Sequence, residues 1–117
     1  MSIMNATPLT VIDIGTLTHD VTTSYANFSL THVNDHVVKV SVMTETYHWH
    51  YHPNSDETFM TIEGILLIDL QTETIELLPG QLITIPKNIV HRTRPKGARS
   101  VNITLEHDQI ETVQVDR

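Results

Sequence analysis

Ten consecutive residues, HWHYHPNSDE at positions 48–57, hold three imidazoles and two carboxylates. Successive side chains of an extended strand point to opposite faces, so His48, His50 and His52 share one face and Tyr47, Trp49 and Tyr51 take the other. Three neutral imidazoles gathered on an inward face lack hydrogen-bond partners unless something accepts their lone pairs, and a divalent cation does. The segment PNSD after His52 offers a turn, and a hairpin return brings the Glu57 carboxylate back beside His50 and His52. Two imidazoles and a carboxylate are a common nitrogen and oxygen ligand set for a transition metal. The alternative reading is a polar surface hairpin.

These residues need a scaffold, and the surrounding sequence describes a β one. Period-two alternation of β-branched and apolar residues recurs in VVKVSVMTE, GILLIDL and QLITIPKNIVHR, broken by turn residues at short intervals. Strands are expected at 9–14, 27–33, 36–43, 46–52, 58–63, 65–70, 73–78, 81–85, 90–94 and 99–105. Asn34-Asp35, Pro53-Asn54, Gly64, Pro79-Gly80, Pro86 and Pro95-Lys96-Gly97 punctuate them. That many short strands in a small chain predict an all-β sandwich or barrel. Residues 16–26 allow one short N-terminal helix capped by Thr16 or Thr18, weakened by β-branched residues. At 117 residues the chain has room for a single domain, 1–117, with its core over 27–106. The polar ends, 1–8 and 107–117, read as mobile arms.

With no cysteine, the chain has neither disulfides nor thiolate ligands, so any transition-metal site must use imidazole and carboxylate. No secretory leader or bilayer-length apolar run is evident, and the expectation is a soluble, cytoplasmic protein. A net charge of −7 opposes nucleic acid and anionic membrane as partners. Five of the seven basic residues nevertheless fall between Lys87 and Arg99. Two readings compete for that segment: a solvated or interfacial edge, and a rim attracting anionic substrates through Lys87 and Arg94.

The spacing His50-x-His52, four residues, Glu57, six residues, Gly64 resembles the first signature of the cupin superfamily. Gly80, five residues, Pro86 and then His91 is similar to its second signature. Thr44, Asn88 and Pro95 depart from the usual glycine, glycine and asparagine, and Asn88 tolerates a left-handed turn better than most residues. The tract WHYHPNSDETFMTIEG also resembles small single-domain cupins labelled mannose-6-phosphate-isomerase-like. The resemblance implies a double-stranded β-helix (jelly-roll) barrel with His50, His52, Glu57 and His91 as metal ligands, and it points to a homodimer.

His48 lies outside that pattern and is expected either to move a proton near the metal or to be a core histidine. Phe59 and Thr61 share the face of Glu57, and Thr93 that of His91, so these three are expected to contact substrate. A site of three histidines and one glutamate leaves coordination positions open for water, oxygen or a small molecule. Iron, manganese, nickel, copper and zinc all suit it. The expectation is an enzyme of dioxygenase, isomerase or lyase class acting on a small organic molecule; the alternative is a non-catalytic binding or sensory module.

Overall fold

The computed structural model describes residues 8–116. Among them are one helix, α1 (Ile14–Thr18), and ten strands. These are β1 (Tyr25–Val33), β2 (His36–Met43), β3 (His50–Tyr51), β4 (Glu57–Glu63), β5 (Leu66–Asp69), β6 (Thr74–Leu77), β7 (Leu82–Ile85), β8 (Arg92–Pro95), β9 (Ser100–His107) and β10 (Val113–Gln114). A five-stranded sheet in the order β1-β2-β9-β4-β7 faces a three-stranded sheet, β6-β5-β8, and β10 pairs with β3. Every pairing is antiparallel. A bridge between His50 and His91, made by reciprocal backbone hydrogen bonds of 2.9 Å, ties β3 to the start of β8.

The all-β expectation holds, with local corrections. Residues 9–14 form no strand: Ile12 and Ile14 pack with Leu17 and Val21 against the outer face of the five-stranded sheet. The helix begins before the expected 16–26 window because Asp13 caps it, its Oδ1 accepting from the Thr16 backbone N at 2.9 Å. It ends at Thr18, before the β-branched run that disfavours helix. Of the expected strand 46–52, only His50 and Tyr51 pair, so alternation does not extend back through Tyr47 and His48. The expected C-terminal arm is anchored: His107 closes β9, and Val113 and Gln114 pair with Tyr51 and His50. Residues 1–7 of the expected N-terminal arm, and Arg117, lie outside the described residues.

Two apolar clusters flank the large sheet. Ala26, Phe28, Leu30, Val40, Val42 and Val101 hold its outer face against the segment around α1. Met43, Phe59, Leu66, Ile68, Leu77 and Ile85 fill the space between the two sheets. Register fixes what else points inward. Glu57 stands opposite Glu106, Phe59 opposite Thr104 and Thr104 opposite Lys39, and in the next row Thr61, Asn102, Ser41 and Asn27 follow one another across four strands. Gly64, at φ 74°, is required where β4 turns into β5, since a Cβ there would collide with the Arg99 carbonyl. Asn88 takes φ 69°, so it serves the turn at which the family signature carries glycine.

Candidate metal centre and its cavity

Four side chains from separate stretches converge: His50 on β3, His52 just after it, Glu57 at the start of β4 and His91 just before β8. All four are buried, and one potential ligand atom from each lies within 4.8 Å of the others. The backbone dictates which nitrogen each imidazole presents. His50 Nδ1–H donates to the His48 carbonyl at 2.8 Å, His91 Nδ1–H to the Ile89 carbonyl at 2.9 Å and His52 Nδ1–H to the Glu111 carbonyl at 2.9 Å. A carbonyl only accepts, so each ring keeps its proton on Nδ1 and turns the Nε2 lone pair inward.

The inward atoms lack partners. His52 Nε2, His91 Nε2 and Glu57 Oε1 are buried without a hydrogen bond. Glu57 Oε1 approaches the two nitrogens to 3.1 and 3.6 Å. Lone pairs of two imidazoles and a carboxylate facing each other repel unless a positive charge sits among them. In the protein alone that charge is a proton. Burial opposes protonation of His52, but Glu57, the Glu111 carbonyl and Glu106 outweigh it and leave its pKa raised. Burial likewise works against ionised Glu57, yet His52 and His91 hold its pKa down to about 2. His50, pushed down to about 4 chiefly by burial, is neutral at ordinary pH. A divalent cation satisfies the same orphaned atoms, so the residues present fit a metal.

The cluster opens into a cavity of about 280 Å³ between the two sheets. Of the three expected substrate contacts, Phe59 and Thr93 line it. Thr61 does not: it is fully buried beneath the wall, its hydroxyl donating to Asn102 Oδ1 at 3.1 Å. Nor does His48. The chain before His50 is not a strand, and Tyr47 takes the inward place, its ring 5.2 Å from that of His50 and stacked at 4.8 Å on Tyr25. His48 instead serves the site through its carbonyl, which orients His50.

The basic side chains of residues 87–99 are absent from the cavity wall. Arg92 and Arg94 both bind the buried Asp69 carboxylate, with Nε distances of 2.8 Å, and the Arg92 guanidinium lies 4.8 Å from the centre of a Trp49 ring. Lys96 pairs with Glu76, and Arg99 donates to the Val21 and Thr18 carbonyls. Of the two readings of this segment, the anion rim of Lys87 and Arg94 fails, because neither borders the cavity. The cation that does is Lys39, with Glu106 beside it. Burial and the neighbouring Glu57 charge raise the Glu106 pKa to about 7, against the opposing pull of Lys39 and Thr104. Sequence reasoning missed both residues. Their signal was present as polar side chains at alternate positions of otherwise apolar strands: Lys39 and Ser41 in VVKVSVM, and Asn102, Thr104 and Glu106 in VNITLEH.

Two facing antiparallel sheets enclosing a buried cluster of three histidines and a glutamate define a double-stranded β-helix barrel with a metal-competent centre. Residues 36–105 match the Cupin domain family, and the chain belongs to it. It is 46% identical over 101 residues to uncharacterized protein YdbB of Bacillus subtilis (strain 168), covering 86% of this chain and 88% of that one. The fold is similar to the crystal structure of a cupin-2 domain containing protein from Shewanella frigidimarina NCIMB 400. That likeness has a TM-score of 0.77 at 25% identity and covers 83% of this chain and 94% of the other. It is also similar to the DMSP lyase DddQ from Ruegeria pomeroyi DSS-3, with a TM-score of 0.67 at 17% identity over 79% of this chain and 52% of that one, a likeness of fold alone.

Proposed function

We propose that this chain is a metal-dependent cupin enzyme, of dioxygenase, isomerase or lyase class, acting on a small organic molecule bound at His50, His52, Glu57 and His91. The observation that carries this reading is the set of orphaned buried atoms, His52 Nε2, His91 Nε2 and Glu57 Oε1, beside a cavity large enough for a small molecule. A metal that served only to brace the barrel would need no such cavity. When bound, a divalent ion supplies Lewis acidity, and iron or copper adds redox chemistry with oxygen.

The protein's own contribution is positioning and exclusion of water. The three backbone carbonyls fix the imidazole rings, Phe59 and Leu66 give the cavity apolar surface, and Thr93 adds a hydroxyl to its wall. The structural likeness to a lyase is in keeping with this reading. The whole chain is taken as one cupin domain, its barrel over about residues 27–106.

Elemental analysis of protein purified without a tag or chelator tests the proposal. Near-stoichiometric iron or copper directs assays to oxygen uptake, and zinc, nickel or manganese to isomerisation and elimination. No metal, even after reconstitution, refutes the metal reading. Metal with tight small-molecule binding but no turnover of any candidate makes the chain a binding module.

The same proposal includes a homodimer. The outer face of β2 is covered by the segment around α1. The uncovered apolar surface lies instead on the outer face of β4, β7 and β9, where Leu82 is 64% exposed and Leu105 40%. Sedimentation at micromolar concentration is expected to give a dimer, and a monomer there refutes it.

A further inference from the structure

Lys39 is the one lysine or arginine that borders the cavity among the described residues. It stands in the middle of β2, largely buried, with Nζ 3.6 Å from Glu106 Oε2. That distance makes an ion pair but exceeds a hydrogen bond, so the ammonium keeps its donors for a third party. Register places it one inward row beyond the Glu57 and Glu106 pair. Two residues along a strand is about 7 Å, the scale of a short carbon chain.

Charge points the same way. Glu57 and Glu106 bring two negative charges at most and Lys39 one positive. A divalent ion on the cluster turns that balance to a net positive charge, which favours an anionic guest in the cavity. Thr104 and Asn102 are occupied with Glu106, Thr61 and Ser100, whereas the Ser41 hydroxyl borders the cavity one row past Lys39 and suits a hydroxylated guest.

Building on the proposed metal-bound substrate, we propose that Lys39 is the distal anion-binding residue of the cavity. The molecule the site takes is then a short hydroxy acid with two acidic groups, one end at the His50, His52, Glu57 and His91 cluster and the other on the Lys39 ammonium. Phe59, Leu66 and Met43 supply the apolar contact for the carbon chain between them.

The test compares malate with 2-hydroxybutyrate, which keeps the hydroxy acid end and lacks the distal carboxylate, by calorimetric titration of zinc-loaded protein. Wild type is expected to bind malate at least about tenfold more tightly, as a charge-assisted hydrogen bond commonly provides. Lys39→Met should lose that preference with zinc content unchanged, and Lys39→Gln, closer in polarity, should lose it as well. Lys39→Arg should keep it. Equal affinities in wild type, or a preference surviving in both neutral variants, overturn the assignment while leaving the metal reading intact. Failure of wild type to take up zinc or any other divalent ion overturns the metal reading itself, and this inference falls with it.

Discussion

The orientation of His52 depends on a segment far from it in sequence, and Asn54→Ala is the sharpest way to probe that dependence. The chain after β9 returns across the barrel, and Asn54 holds it at two points: Nδ2 donates to the Gln109 carbonyl at 3.0 Å, and Oδ1 accepts from the Glu111 backbone N at 2.8 Å. The held segment delivers the Glu111 carbonyl to His52 Nδ1, with the Thr112 hydroxyl 3.2 Å from the same nitrogen. Each Asn54 bond contributes about 1 kcal/mol net, so the substitution weakens docking of the segment by roughly 2 kcal/mol. That corresponds to roughly 30-fold faster hydrogen exchange at the Val115 amide, which bonds the Trp49 carbonyl at 3.0 Å. Removing an outer hydrogen bond from a metal-ligating imidazole costs about 10- to 100-fold in affinity, and the variant should approach the lower figure as the segment detaches. Exchange measured by NMR and zinc affinity by competition with a chromophoric chelator give the two readouts on one sample. Exchange at Val115 as fast as that of an unprotected amide, with zinc affinity unchanged, refutes the claim that the Glu111 carbonyl orients His52.

Other substitutions test the remaining parts. His50→Ala and Glu57→Ala should each abolish stoichiometric metal content, measured by elemental analysis after reconstitution; metal retained in both overturns the ligand assignment. Asp69→Asn should destabilise the fold by roughly 3 kcal/mol at neutral pH, because it leaves two arginines without their buried partner. Arg94 foremost, with Thr74 and Arg92, outweighs burial and holds the Asp69 carboxyl well below the usual carboxylate range. Its contribution is therefore complete above that range and is lost as pH falls through the depressed value. Denaturant midpoints of wild type and variant should converge in strong acid, and a gap independent of pH refutes the electrostatic account.

The ligand cluster was legible because its spacing survives any detail of the strands. His50, His52 and Glu57 are joined by a short turn, and His91 follows a second turn whose Asn88 accepts the left-handed conformation. What alternation could not provide was the backbone before His50. Only two residues of the expected strand 46–52 find a pairing partner, so Tyr47 replaces His48 at the cavity. The basic segment allows an anion rim as one of two readings, because charge in sequence is visible and its partners are not. Asp69, which absorbs both Arg92 and Arg94, sits 23 and 25 residues away. Lys39 and Glu106 are not legible in the sequence, since a lone charge in a long apolar strand carries no sign of direction, and only the register across β2, β9 and β4 shows that it points inward.

That register also explains how so small a barrel tolerates a polar interior. The large sheet is gripped from outside, where Phe28, Leu30, Val40, Val42 and Val101 pack against Ile12, Ile14 and Leu17. Each fully buried side chain of that size contributes about 1.5–3 kcal/mol, so one face secures β1, β2 and β9 with little help from the other. The inner face at the same strands is then free to present Asn27, Lys39, Ser41 and Glu106. At the other end of the sheet nothing comparable among the described residues covers the outer face, and there the interior holds the strands: Phe59 and Ile85 on β4 and β7 pack against Leu66, Ile68 and Leu77. The polar inner face of β1, β2 and β9 thus follows from where the N-terminal segment lies. Polar substitutions at Phe59 or Ile85 should cost far more stability than apolar ones at Lys39 or Ser41.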